Sequence, residues 1–206
     1  MGIKSRLFDD RLQLNAALYE YDYQNQQVNS IVSINGAASA FTSNAGQSDM
    51  QGLEIDLEAL LLENVTLIAS YSYSDAKYNE FDHPETDRSG FSMEFAPENA
   101  YSLSLDYRVN VGQTGELALR AAYGWKDDYY IDSSNTPLSL QEAYGVFNLA
   151  AIWDINESLR LRAFCDNCNG EEYLTQTTIF PVGVGGGARS KWATPRRFGM
   201  EAFYSF

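Results

Sequence analysis

The feature of this sequence that most constrains its fold is an alternation of apolar and polar side chains with a period of two. The C-terminal segment 198–206 shows it most clearly, because one parity is apolar and the chain stops on an aromatic residue. That parity consists of Phe198, Met200, Ala202, Tyr204 and Phe206. Since successive side chains of a β-strand point to opposite faces, the segment predicts a strand with one continuous apolar face.

Seven further segments repeat this alternation, which makes it a property of the whole chain. They are 12–22, 53–59, 65–74, 101–109, 116–126, 147–155 and 159–163. In the second of them, Glu54, Asp56 and Glu58 share the polar parity. A row of acids is too costly to face lipid, but it is tolerated on a wall that faces a water-filled lumen. Strands that are apolar outside and polar inside are typical of a transmembrane β-barrel.

The segment 12–22 is less regular than the others. Leu18 ends its apolar stripe, and Glu20 and Asp22 continue the same parity. Either a β-bulge near Leu18 or emergence of the strand from the membrane would account for this. With a partial first strand over 3–7, the sequence predicts about nine strands, whereas bacterial single-chain barrels have an even number. We therefore expect part of a larger barrel.

The connections between the predicted strands alternate in length. The short ones are 9–10, 63–64, 111–114 and 156–157, and the long, polar ones are 24–46, 79–97, 127–141 and 175–194. Outer-membrane barrels have short turns on the periplasmic rim and long loops on the extracellular rim. The predicted fold is therefore an all-β, antiparallel, up-and-down transmembrane β-barrel. We expect extracellular long loops and a periplasmic C-terminus.

Composition supports this class and excludes others. Aromatic residues make up 14% of the chain, which fits the interfacial girdles of a membrane barrel. The net charge of −14 excludes nucleic acid as a partner, since phosphates would be repelled. No run approaches the roughly 18 apolar residues of a membrane-spanning helix. Segment 1–6 lacks the apolar core of a secretory signal, so we expect the chain to be the tail of a longer precursor.

Cys165 and Cys168 form a single C-x-x-C motif. A zinc site would need two further ligands, and His83 has no partner Cys or His elsewhere. A redox motif would normally begin a helix in a βαβ unit, which the pattern does not predict. In an oxidising compartment we expect a local disulfide, with two free thiols as the alternative. No metal or cofactor is expected.

Other candidate residues lie in the predicted loops. His83 lies in the acidic segment 82–85, and no spacing supplies a nucleophile and an orienting acid, so we expect a solvated loop histidine and no catalytic residue. The segment 183–187 is rich in glycine but lacks the context of a phosphate-binding loop. It predicts a flexible loop tip, with ligand contact as the alternative. Four aromatic residues could form an outer girdle or contact substrate: Trp125, Tyr129, Tyr130 and Trp192.

Charged residues of the polar parity fall into two sets. The acidic row at 54, 56 and 58 is one, and Arg160, Arg162 and Arg197 are the other. We expect the two sets to face each other around a wet lumen or a plug. Mutual neutralisation is favoured over a substrate path.

Four stretches of the chain resemble the C-terminal end of the barrel of TonB-dependent outer-membrane receptors. They are N-A-G at 44–46 with the acidic strand 52–58, then 95–101, 164–173 and 194–206. The third departs from the family's N-L-x-D-x-x-Y pattern, because Cys168 replaces the usual leucine and Gly170 the usual acid. The fourth resembles the closing P-R-x-x-G…F box, with Pro195, Arg196, Phe198, Gly199, Tyr204 and Phe206 at the matching or terminal positions.

The resemblance implies a plugged barrel of about 22 strands, of which residues 1–206 would form the C-terminal part. Such a receptor imports a scarce nutrient, for example a ferric siderophore, with energy from TonB. The implied partners are outer-membrane lipid, the barrel-assembly machinery, TonB, the small nutrient, and the plug and N-terminal strands outside this chain. Two alternatives remain at this point: a self-contained outer-membrane barrel with an adhesion or structural role, and a barrel hydrolase.

Overall fold

The fold is known from a computed structural model, which describes residues 1–206. Nine of its strands form one sheet: β1 Gly2–Leu7, β2 Leu12–Ile34, β3 Ala37–Leu62, β4 Val65–Glu80, β5 Asn99–Asn110, β6 Glu116–Lys126, β9 Tyr144–Asp154, β10 Leu159–Asp166 and β13 Arg197–Tyr204. These strands are neighbours in that order, and every pair is antiparallel. The predicted all-β antiparallel meander is confirmed.

Two small hairpins lie within segments that were predicted as loops. Strands β7 Tyr129–Tyr130 and β8 Leu140–Gln141 form one, and β11 Leu174–Ile179 and β12 Ala188–Trp192 form the other. Three single-turn 3₁₀ helices complete the structure, at Gly112–Thr114, Pro137–Ser139 and Val182–Val184. None of the helices has the length and apolar character needed to cross a bilayer.

The register of the sheet places the apolar stripes of all nine strands on one face. Directly paired residues of antiparallel strands point to the same side. One row of paired residues therefore runs across the whole sheet: Leu7, Leu12, Ala59, Leu67, Leu105, Ala121, Leu149, Cys165 and Phe198. The adjacent row on the opposite face is mostly polar: Arg6, Gln13, Glu58, Ile68, Ser104, Ala122 and Asn148. We call these the apolar face and the polar face.

The first long connection differs from prediction. Segment 24–46 was expected to be a polar loop, but β2 and β3 continue pairing until Ile34 meets Ala37. Asn35 and Gly36 form the turn with φ of 53° and 78°. Positive φ at both central residues is the requirement of a type I′ hairpin turn, for which Asn-Gly is the favoured sequence. The prediction of a loop here was wrong, because the Asn35-Gly36 pair forms a tight turn and the two strands pair right up to it.

Of the two explanations offered for the irregular segment 12–22, the β-bulge near Leu18 is not present. Leu18 pairs with Leu53, and no register shift occurs between β2 and β3. The ladder is instead interrupted further along, where Asn25, with φ of 57°, has no paired residue. Before this point the even-numbered Leu18 is 59% exposed, whereas Val28 beyond it is 2% exposed. The even-numbered side chains of β2 are therefore buried only in the part of the hairpin nearest its turn.

Burial is concentrated at the end of the sheet that carries the long connections. Only 18 of the 206 residues are buried, because both faces of the nine-stranded sheet are largely uncovered. The hydrophobic cluster is formed by Val28, Ala45, Tyr78 and Phe81, with Phe91 and Met93 packed against it. The remaining turns, at 9–10, 63–64, 111–114 and 156–157, are short as predicted.

Candidate functional site

Four segments pack together at the long-connection end, and we call them the outer cluster. They are the tip of the β2–β3 hairpin (28–43), the connection 81–95, the segment 129–141 and the segment 179–187. Ser30 in the first contacts His83 in the second, and Arg88 in the second contacts Ser133 in the third. The outer cluster is thus held by polar contacts between segments that are distant in sequence.

His83 is buried, not solvated as predicted. Its side chain is 2% exposed, and its Nε2 lies 2.8 Å from the Ser30 hydroxyl. The rings of Phe41 and Phe81 meet it edge-on, with centroids 6.3 and 5.9 Å away. The prediction was wrong because Ser30 and Phe41 belong to the hairpin that had been interpreted as a loop.

The Ser30–His83 pair does not have the arrangement of a serine hydrolase. Nδ1 of His83 accepts a hydrogen bond from the backbone N–H of Glu85 at 3.3 Å. The ring proton therefore lies on Nε2, which donates to Ser30. A catalytic base needs the reverse, with Nε2 accepting the serine proton and an acid holding Nδ1. Burial, and secondarily the charge of Arg88, lowers the pKa of His83 and keeps the ring neutral.

Arg88 is a buried cation in the outer cluster. Its side chain is 4% exposed, and Nη1 donates to the Ser133 hydroxyl at 2.6 Å. Its guanidinium carbon also lies 5.5 Å from the centroid of the Phe81 ring. Burial lowers the pKa of Arg88, which the negative charges of Asp132 and Glu85 oppose. An arginine remains charged in proteins, so the negative charges of these two acids offset part of the free-energy cost of burying its positive charge.

The glycine-rich segment 183–187 lies against the hairpin and is not a free tip. A Cβ built on Gly183 would lie only 2.6 Å from the hydroxyl of Ser33 in β2. Gly185, Gly186 and Gly187 all have positive φ, which glycine adopts without steric cost. Together with residues of the other three segments, this one lines a cavity of about 550 Å³.

The four candidate aromatic residues are not brought together. Trp125 lies on the apolar face, stacked on its partner Tyr101 with ring centroids 5.2 Å apart. Tyr129 is 8% exposed, so it presents little surface to a ligand, and its neighbour Tyr130 accepts a hydrogen bond from a backbone N–H of the connection 81–95. Trp192 is 59% exposed in β12. Contact of these residues with substrate stays a prediction.

The charged residues of the polar face pair locally. Arg160 pairs with Asp154, Arg162 with Glu201 at 2.8 Å, and Arg197 with Asp166 at 2.6 Å. None of the ion pairs involves the acidic row of β3. The predicted neutralisation between the two sets is therefore not observed. The register places each arginine directly opposite its acid on the neighbouring strand. Side chains of such directly paired residues are close enough to interact.

The C-terminal residues follow the predicted strand. Phe198 and Tyr204 lie on the apolar face, each largely exposed, and the Phe206 ring meets Tyr204 edge-on at 5.2 Å. Pro195 lies just before β13, and Arg196 Nη1 donates to the Cys168 carbonyl at 3.4 Å. A role of this strand in assembly stays a prediction.

Cys165 and Cys168 lie at the outer end of β10 and in the bend that follows. Their sulfur atoms are adjacent, and their Cα atoms are 5.6 Å apart, within the usual range for a disulfide. Formation of the disulfide itself stays a prediction, which rests on the expected oxidising compartment. No group of three or more His, Cys, Asp or Glu side chains is positioned to hold a metal ion.

An antiparallel sheet with one apolar face, one polar face, short turns at one end and long connections at the other defines the class of transmembrane β-barrel proteins. Residues 1–168 match the family model described as TonB dependent receptor-like, beta-barrel. The chain therefore belongs to this family of receptors, which confirms the resemblance noted in the sequence.

Two curated relatives match most of the chain. The Ferric-pyoverdine BN7/BN8 receptor of Pseudomonas putida is 23% identical over all 206 residues, which cover 22% of that receptor. The Probable TonB-dependent siderophore receptor PiuA of Acinetobacter baumannii is 25% identical over 184 residues, covering 85% of this chain and 23% of the relative. The chain thus spans less than a quarter of the length of these relatives.

Solved structures have the same fold at low sequence identity. The ferric yersiniabactin uptake receptor FyuA from Yersinia pestis has a TM-score of 0.78 at 17% identity. The matched region covers 100% of this chain and 29% of the FyuA chain. The siderophore receptor PiuA from Acinetobacter baumannii has a TM-score of 0.70 at 22% identity. The matched region covers 98% of this chain and 27% of the PiuA chain. These similarities concern the barrel fold.

Proposed function

We propose that residues 1–206 are the C-terminal part of the barrel of an outer-membrane receptor that imports a ferric siderophore or a similar scarce nutrient with energy from TonB. The observation that carries this proposal is the single apolar row from Leu7 to Phe198 across all nine strands. A sheet with one continuous apolar face is suited to a wall between lipid and a polar lumen. The long connections, including the outer cluster, face the outside of the cell, and the C-terminus faces the periplasm.

The two edges of the sheet support a larger barrel. Strands β1 and β13 are the outermost strands and are not neighbours. Each unpaired backbone group in hydrocarbon costs several kcal/mol, so both edges need partner strands in the membrane. In this proposal the partners are N-terminal strands of the same receptor, which close a barrel of about 22 strands around a plug. The barrel-assembly machinery recognises β13, and TonB acts through the N-terminal part.

The nature of the nutrient is inferred from the relatives. One of the curated relatives is named as a ferric-pyoverdine receptor, and another is named as a probable TonB-dependent siderophore receptor. A ferric siderophore is therefore the nutrient class that we assign to this receptor. We do not retain the hydrolase alternative, because Nδ1 of His83 accepts a hydrogen bond from a backbone N–H and so cannot donate to an orienting acid. No observation favours a self-contained adhesion barrel.

Uptake by the full-length receptor tests the proposal. The receptor is expressed in a strain that lacks its own siderophore receptors, with and without TonB, and radiolabelled iron is supplied as ferric pyoverdine, a ferric catecholate or a ferric hydroxamate. We expect accumulation of at least one complex in the strain with TonB and none without it. Uptake of none of the three would contradict the assignment of a ferric siderophore as the nutrient, and uptake that does not need TonB would contradict the proposed source of energy.

A further inference from the structure

A second cavity lies on the polar face, near the end of the sheet that carries the long connections. Its volume is about 370 Å³. Two adjacent rows of paired residues form its base, one from Ser72 to Tyr144 and the next from Ser70 to Val146. In the proposed barrel the polar face lines the lumen. The cavity therefore lies on the way from the outer surface into the lumen.

Small residues keep this space open and supply hydroxyl groups. Gly124 lines the cavity, and a Cβ built on it would have no atom within 4 Å. The hydroxyls of Ser70 and Ser102 lie 2.7 Å apart. Because one of them donates to the other, the acceptor keeps its own proton for a ligand. Ser102 is exposed, so a ligand can reach its hydroxyl.

Two stacked tyrosine rings supply an aromatic part of the lining. The rings of Tyr144 and Tyr173 are 12° from parallel, with centroids 4.2 Å apart. Tyr173 lies in the connection between β10 and β13, and its carbonyl accepts from the Ala193 N–H at 2.8 Å. The next N–H, that of Leu174, donates to Oε1 of Gln141 at 2.6 Å. These bonds hold the tyrosine pair in place, so a flat ring can pack against it.

Lys126 is the one charged residue that lines the cavity. It is exposed and takes part in none of the ion pairs, although the chain has twice as many acidic as basic residues. An ammonium group without an acid partner can bind an anionic oxygen in a charge-assisted hydrogen bond. The cavity thus combines an aromatic surface, hydroxyl groups and one available positive charge.

We propose that this cavity binds a catecholate ring of the ferric siderophore, and that the nutrient is therefore a ferric catecholate. The ring packs against the tyrosine pair, and its anionic oxygens pair with Lys126 and Ser102. A hydroxamate has no aromatic ring, so it would leave the tyrosine pair without a partner. The volume is at the lower end of the roughly 300–1,000 Å³ of small-molecule sites, which suits one such group. The proposal rests on the proposed function and narrows its nutrient class.

Calorimetry with the purified full-length receptor tests the site. The probes are a ferric tris-catecholate complex and a ferric tris-hydroxamate complex. We expect the catecholate complex to bind at least about tenfold more tightly, because it alone supplies an aromatic ring and a net negative charge. Tighter binding of the hydroxamate complex, or binding of neither complex, would show that the catecholate assignment is wrong.

A charge-removing change makes the test specific to the cavity. Lys126→Gln keeps a polar side chain and removes the positive charge, and we expect the catecholate complex to bind at least about tenfold more weakly. Lys191→Gln is the matched control, because Lys191 is exposed, makes no ion pair and does not line the cavity. Equal affinity of the two variants, as expected if the plug fills the cavity, would overturn the proposal.

A second pair of variants examines the aromatic part of the lining. Tyr144→Phe and Tyr144→Leu both lose the hydroxyl, and only Tyr144→Leu loses the ring. We expect the catecholate complex to bind about threefold to tenfold more weakly to Tyr144→Leu than to Tyr144→Phe. The same affinity for both variants would contradict packing of the ligand ring against this residue.

The iron uptake assay separates this site from the proposed function. TonB-dependent uptake of the ferric hydroxamate, without uptake of the ferric catecholate, retains the proposed function and contradicts the catecholate site. Catecholate binding that Lys126→Gln weakens, without uptake of any iron complex, retains the site and contradicts the proposed transport.

Discussion

The ring of Phe164 lies over Gly199, its paired residue on β13. A Cβ built on Gly199 would lie 2.8 Å from Cζ of that ring. The guanidinium carbons of Arg162 and Arg197 lie 4.6 and 5.4 Å from the ring centroid. The absence of a side chain at Gly199 therefore allows an aromatic ring and two cations to pack where the last two strands meet.

Gly199→Ala should destabilise the barrel by about 1–3 kcal/mol, because the new methyl group must displace the ring of Phe164. The measurement is urea-induced unfolding of the full-length receptor in lipid vesicles. Gly124→Ala is the control, since no atom lies within 4 Å of a Cβ at Gly124. Equal unfolding midpoints for the two variants would contradict the role assigned to Gly199.

Leu119→Arg should destabilise the membrane-inserted barrel by about 2–4 kcal/mol, because an arginine on the apolar face near the middle of the bilayer must enter lipid. Leu119 is 41% exposed and pairs with Tyr107 and Ala151 on that face. Its neighbour Ala118 lies on the polar face, so Ala118→Arg should cost far less. If both changes were equally harmful to folding in vesicles, the assignment of the two faces would be wrong.

Deletion of Phe206 should lower the amount of receptor in the outer membrane while leaving secretion to the periplasm intact. We expect this result because the assembly machinery recognises the terminal aromatic ring. That ring packs edge-on against Tyr204. Immunoblots of outer-membrane and periplasmic fractions measure the effect. Ser205→Ala is the control, because it leaves the apolar stripe unchanged. Wild-type levels after the deletion would refute the role of the terminal ring.

Docking of the connection 81–95 should weaken as pH falls below about 6.5. The pKa of His83 is lowered from 6.5 by burial and by the nearby charge of Arg88, against the opposing charges of Glu85 and Asp132. Between the lowered pKa and 6.5, the undocked segment takes up a proton that the docked one does not. Stability is therefore fully present above 6.5 and is lost as pH falls through this window.

Hydrogen exchange of the backbone amides in 81–91 measures this effect. Protection, corrected for intrinsic exchange rates, should be lower at about pH 5.5 than at about pH 8 in the wild type. His83→Gln keeps a group that can donate to Ser30 and cannot take up a proton in this range, so its protection should vary little with pH. A wild type whose protection does not depend on pH would contradict the prediction.

Much of the sheet was predictable because its signal is local. Alternation with a period of two is a property of each strand alone, and it assigned Leu105, Leu119 and Leu149 correctly to one face. The Asn35-Gly36 turn was equally local, and its signal was available in the sequence. Burial of His83 was different, because it depends on how the connection 81–95 docks on a hairpin more than 50 residues away in sequence.

The ion pairs of the polar face were also beyond the sequence. Whether Arg162 meets Glu201 or an acid across the lumen depends on the register of β10 against β13, and a shift of one residue would exchange the faces. The cavity of the outer cluster depends on four segments together. Neither feature follows from the residue pattern of a single strand.

The length of the β2–β3 hairpin makes its tip a marker of orientation. β2 has 23 residues, which at about 3.3 Å per residue and a tilt of about 45° rise roughly 50 Å, well beyond a hydrocarbon core of about 30 Å. The turn at Asn35 and Gly36 therefore lies well beyond the lipid headgroups. A short epitope inserted there would be stained by antibody on intact cells, without permeabilisation, and would report directly which way the barrel is inserted.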